Sequence, residues 1–310
     1  MGDCLAITVR FGLYLDLMLL FGVPLFTIRT FRRNDRALIA DMHFDRLLPG
    51  LAGFGIVLSL VGMAVMAKAM SGAEDYAAMG RHVYEMVIVH TDVGIAWLVR
   101  MGALMVAISA PALLGRMPTQ MLPVIAAMGA VALSSLAWAG HGAMDEGARG
   151  YLHLSIDILH LAAAAVWVGA LAIFVLLSLR TSLVVKAQVE LFSRILKGFA
   201  STGTFVVVTL ILTGSVNYWL INGWAPRALA STLYGVLLLF KLSLFVLMLA
   251  LAAANRYHLS PGLEAALRDG SVPRAMTALR RSLAVELTAA TTILGLVSWL
   301  GTLSPTAAFR

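Results

Sequence analysis

Thiols, charges and linkers are all scarce in this sequence. A single cysteine, Cys4, stands among 310 residues. One thiol excludes an internal disulfide and any cysteine-built metal cage. Charged residues make up only 13% of the chain. A water-soluble domain needs far more polar surface than that, so a soluble globule is excluded. No Pro/Ser-rich linker or low-complexity tract interrupts residues 1–310, and a single domain is expected. No Walker motif, His-Glu-x-x-His or serine elbow appears, which speaks against direct use of ATP and against an intramembrane hydrolase. No enzymatic activity is expected.

What is abundant is apolar surface: 60% of residues are hydrophobic and the mean hydropathy is +0.90. Runs of about 20 apolar residues match a hydrocarbon core of roughly 30 Å. They predict an all-α, polytopic membrane helix bundle of about eight transmembrane helices. The spans are expected near residues 5–28, 47–69, 86–115, 121–141, 153–178, 199–221, 231–254 and 282–303. The first run, "MGDCLAITVRFGLYLDLMLLFGVPLFTI", carries an acid near its start and no small-residue cleavage site. It reads as a span rather than a signal peptide.

The net charge of +7 and pI of 9.9 would suggest nucleic acid for a soluble protein. In a membrane protein, basic residues mark the cytoplasmic loops, so no nucleic-acid partner is expected beside the lipid bilayer. Fifteen Lys and Arg fall in the connections 29–46, 116–120, 179–198 and 255–281, against four on the other side. Both termini are therefore expected outside, which is the periplasm of a bacterial cell.

That orientation sorts the histidines. His82, His90, His141, His153 and His160 fall at the outer side, with Met66, Met70, Met79, Met86 and Met144. His43 and His258 fall at the inner side, where they are candidates for an exit site. His153, Asp157 and His160 are spaced i, i+4, i+7 and share one helix face. Polar groups in a span are costly and face a bundle interior or cavity. A hydrogen-bonded stripe that cross-links helices is the plainer reading. As ligands, the outer two rings stand roughly 10 Å apart along the axis, whereas metal–nitrogen bonds are about 2 Å. One ion does not take both. The stripe reads as a ladder: His153 with Asp157 above, Asp157 with His160 below. His141 and Met144 are candidate ligands at the upper station, and His90 lower down. Imidazole, carboxylate and thioether suit copper, as Cu(I) or Cu(II), better than magnesium or calcium; zinc and nickel stay open by ligand type.

A second polar set lies deeper: Asp16, Arg100, Lys241 and Glu286. Isolated charges there are costly, so structural ion pairs or an inner-half relay are expected. The six tryptophans read mainly as an interfacial belt.

The run "WAGHGAMDEGARGYLHLSIDILHLAAAAVWVGAL" resembles the central signature of the CopD copper-resistance membrane proteins. Downstream, "LFSRILKGFASTGTFVVVTLILTGSVNYW", "LYGVLLLFKLSLFVLMLALAAANRYHLSPGL" and "LRRSLAVELTAA" are similar to later segments of that family. The likeness is strong from about 84 to 303 and weak before. One departure is Ala170, where many relatives carry a second glycine after Trp-Val-Gly; it bears on helix packing. The resemblance implies an inner-membrane protein of copper homeostasis that works beside a periplasmic CopC-like copper carrier, here a separate chain. It gives weight to His141, His153, Asp157 and His160, and to Lys241 and Glu286 as polar members without an assigned role. The expected function is copper transport, from periplasm to cytoplasm. The alternatives are a b-type cytochrome, with His90 paired to His160 or His153 on haem, and a non-transporting copper sensor or docking protein.

Overall fold

A computed structural model describes residues 4–32, 35, 42–73, 75–76, 79–114, 118–140, 147–181, 186–223 and 232–303, with the side chains of 118, 119 and 222 excepted. His141, Met144, Asp145 and Glu146 lie outside the described residues. Among the described residues the chain is helical throughout, and eight helices are long and apolar enough to cross a membrane. The elements are α1 (Cys4–Thr30), α2 (Phe44–Ser71), α3 (Arg81–His90), α4 (Asp92–Leu114), α5 (Pro118–Ser134), α6 (Gly147–Arg180), α7 (Lys186–Asn222), α8 (Leu233–Ala254), α9 (Ser260–Asp269) and α10 (Val272–Leu300). A 3₁₀ turn, Ser135–Ala139, extends α5, and a π-helical stretch, Asn255–Leu259, joins α8 to α9.

The first helix is the hub. It packs against α2, α5, α6 and α10, which draws both halves of the chain onto one axis. Leu17 and Leu20 on α1 are wholly buried, as are Leu48, Leu104, Ile125 and Ala165 around it. The closest approach is between α1 and α6 at Gly22 and Gly169. A Cβ on Gly22 would meet the Ala165 carbonyl and lie 3.1 Å from the Gly169 Cα, so the two backbones touch only because both residues lack one. Ala170 is wholly buried beside this contact, and the packing needs glycine at 169 rather than 170. The outer surface is apolar: Phe54, Leu113, Phe205, Leu212 and Val246 are all more than half exposed, as lipid-facing side chains are.

The third span departs from the sequence expectation. The apolar run 86–115 is broken at Thr91, whose backbone is extended (φ −127°, ψ 146°). Its hydroxyl donates to the Val87 carbonyl at 2.6 Å and accepts from the Gly94 N–H at 3.0 Å, so it ends one helix and caps the next. The membrane-crossing piece is α4 alone. Other helices run past the expected span ends. Most notably, α6 starts at Gly147, so His153 lies nearly two turns inside it.

Candidate metal path

The faces of α6 and α7 that meet carry two polar rungs. On α6, Asp157 Oδ1 accepts from Asn217 Nδ2 of α7 at 2.6 Å. One turn further, His160 Nδ1 lies 2.8 Å from Thr213 Oγ1. The antiparallel run explains the pairing: three residues down α6 match four residues up α7. The Thr213 hydroxyl donates to the Thr209 carbonyl at 2.6 Å, so its single proton is committed. Its oxygen therefore accepts from His160 Nδ1–H. That bond favours the tautomer of His160 with its lone pair on Nε2.

Other elements close around these rungs. His153 is 1% exposed and lies close enough to Asp157 to interact with its carboxylate. The Lys241 ammonium on α8 acts on both the Asp157 carboxylate and the His160 ring. Lys241 therefore belongs with the ladder, not with a separate inner set. Tyr14 of α1 faces the same carboxylate, and a Cβ on Gly140 would lie 3.6 Å from Asp157 Oδ2. Arg10 ties together the ends of the elements around the Cys4 end of α1: it donates to the Ala139 carbonyl at 2.8 Å and to the Gly301 carbonyl.

Two cavities come near the rungs through neighbouring residues, and neither is lined by Asp157, His160, Thr213 or Asn217. One, of about 580 Å³, lies at the Cys4 end of α1 and is lined by Met63, Met66, Met70, Arg100, Tyr14 and Gly140. The other, of about 1170 Å³, opens at the basic end among Arg29, Arg32 and Lys197 and reaches Leu159, Ala163 and Thr209. Ala163 is one turn below His160, and Thr209 is the acceptor for Thr213.

Several expected partners stand elsewhere. His90 is the exposed last residue of α3, which packs against α2 and α4, so it is not gathered with His160. The reason is the break at Thr91. His43 and His258 are both exposed, at the start of α2 and in the π-helical stretch. Among the described residues no three His, Cys, Asp or Glu side chains cluster closely enough for a metal cage. Among the described residues, Arg100 and Glu286 are held by neutral partners rather than by opposite charges. Arg100 donates to Ser135 Oγ at 3.3 Å, and Glu286 accepts from Trp167 and Asn255. Asp16 is 2% exposed, and neither of its oxygens has a hydrogen-bond partner among the described residues. Trp167 is interior rather than interfacial. Sequence reasoning missed Asn217, Thr213 and Tyr14. The i, i+4, i+8 spacing of Thr209, Thr213 and Asn217 on one helix face was the available signal.

Comparison with known proteins shows the family of the chain. The family described as copper resistance protein D-like, N-terminal domain, matches residues 1–151, and that described as copper resistance protein D matches 193–300. Copper resistance protein D of Pseudomonas syringae pv. tomato is 46% identical over 305 residues, 98% of each chain. The chain belongs to the copper resistance protein D family. The inner membrane protein YebZ of Escherichia coli (strain K12) is 29% identical over 261 residues, 82% of this chain and 84% of its own. Family likeness thus extends over the first spans as well, beyond the stretch 84–303 where the motifs are densest. No solved structure matches the chain.

Proposed function

We propose that this protein carries copper across the bacterial inner membrane along the α6–α7 rungs, from periplasm to cytoplasm. One observation carries the reading: next to the Asp157–Asn217 and His160–Thr213 pairs, a cavity at the Cys4 end of α1 reaches Tyr14 and Gly140, and a larger one at the basic end reaches Ala163 and Thr209. A site for sensing alone needs one access, whereas a path needs two. The relatives' name, copper resistance protein D, supplies the cargo. The chemistry agrees with it. Thioethers of Met63, Met66 and Met70 line the outer cavity and suit Cu(I). Beyond them come a carboxylate and an imidazole with a free Nε2. His141 and Met144 are further candidate ligands at the outer lip.

Transport requires that each station release its ion. Lys241 serves that need. Its charge balances Asp157 when the path is empty and opposes a cation held there, which keeps the station weak. A periplasmic CopC-like carrier would deliver copper to the outer cavity. The membrane potential, a proton gradient or copper trapping inside the cell would drive the movement.

Liposomes holding this chain alone test the proposal. Copper accumulates inside them at a rate proportional to protein. A chain that binds copper stoichiometrically but moves none is a sensor or docking protein, and the transport reading fails. The cytochrome reading loses its cross-helix pair, since His90 is exposed on α3. The purified protein is expected to lack a Soret band.

A further inference from the structure

Glu286 is a buried carboxylate that the copper path does not use. It is 3% exposed on α10. Its Oε1 accepts from Trp167 Nε1 at 3.1 Å, and its Oε2 from Asn255 Nδ2 at 2.9 Å. Both are neutral donors: they orient the carboxylate and leave its charge uncompensated. Among the described residues no basic side chain forms a salt bridge with it. Asn255 is 6% exposed, and its Oδ1 has no hydrogen-bond partner among the described residues. Asn255 also opens the π-helical stretch Asn255–Leu259. Such widened turns re-aim side chains and recur at functional sites. A cavity of about 540 Å³ between α6, α7, α8 and α10 is lined by Glu286, Asn255, Ser260, Thr204 and Trp167, and reaches Lys197 and Arg256 at the basic end.

We propose that Glu286 and the Asn255 side-chain oxygen bind a monovalent alkali cation, admitted through this cavity from the basic side. A lone charge at such depth calls for a counter-ion. The donors are carboxylate, amide and hydroxyl oxygens, with no imidazole or thioether, which suits a hard cation and not copper. One carboxylate neutralises one positive charge; a divalent ion would leave an excess charge in a low-dielectric site. Sites where distorted helices meet a membrane cavity bind coupling ions in other transporters. The proposal is independent of the copper reading and holds whether or not copper crosses.

The test uses the purified full-length protein in nanodiscs. Thermal melts and tryptophan emission are recorded in NaCl, KCl and LiCl against N-methylglucamine chloride at constant ionic strength. Trp167 donates directly to Glu286 and is a built-in reporter. The wild type is expected to give a saturable rise in Tm and a saturable emission change with at least one alkali cation. E286Q keeps the side-chain shape and loses both responses. N255L loses them as well, and N255D moves the response towards Ca²⁺. Melts that do not distinguish alkali cations from N-methylglucamine in the wild type overturn the proposal, as does an undiminished response in E286Q or N255L.

Discussion

His160 and Thr213 show how a single hydroxyl can decide the chemistry of a ring. Because Thr213 spends its proton on the Thr209 carbonyl, His160 must donate from Nδ1 and present Nε2. Thr213→Val removes the acceptor and frees the tautomer. Copper affinity of the purified protein, measured by competition with a chromogenic chelator, is expected to fall about 10–100-fold, as for other orienting partners of metal-bound histidines. An unchanged affinity would mean that His160 does not hold the ion. Asp157→Asn is expected to weaken copper binding too, since it removes the only carboxylate charge on the rungs. Lys241→Met acts in the opposite direction: it removes the competing ammonium, so copper binds more tightly and leaves more slowly. Tighter equilibrium binding together with slower uptake is the expected pair of results.

At the scale of elements, the bundle depends on helices that approach closely at a few points. Gly169→Ala puts a methyl group into the α1 backbone at Gly22. Overpacking of this kind costs about 1–3 kcal/mol, which a thermal melt reads as a lowered Tm. Gly102→Ala is the control: a Cβ there meets nothing within 4 Å, so Tm should hold. Equal shifts in the two variants would refute the close-approach account. The same scale explains what was legible beforehand. Hydropathy reports the length of an apolar run, and all eight crossings follow from it. It does not report where a polar residue caps a helix, so the break at Thr91 was invisible and His90 was assigned to the wrong wall. Nor does it report polar helical extensions, so His153 was expected at an open lip and is buried. The stripe His153–Asp157–His160 was readable from spacing on one helix. Its partners Asn217, Thr213 and Lys241 were not, because which helix faces it is decided by tertiary packing. Counting depth from the span ends would have brought Lys241 to the level of His160.

For the whole molecule, the basic residues gather at one end of the bundle and the candidate outer mouth lies at the other. Arg194–Asp35 at 2.8 Å, with a largely buried Asp35 side chain, and the more exposed Lys197–Glu264 at 3.2 Å stand at the basic end. From that distribution the positive-inside rule predicts the N-terminus outside. Cys4 is the only cysteine in the sequence and is exposed, so it reports topology without engineering. A membrane-impermeant maleimide is expected to label it in intact spheroplasts. Labelling only after permeabilisation would invert the molecule and with it the direction of the path.

The central claim is that copper moves past Asp157 and His160. Its most direct test is uptake of ⁶⁴Cu into oriented proteoliposomes holding the wild type, H153A, H160A or D157N, each first verified as folded by its melt. The account predicts uptake in the wild type and a loss of at least about tenfold in H160A and D157N, in line with removal of a metal-site residue. Wild-type uptake rates in both H153A and H160A would contradict it.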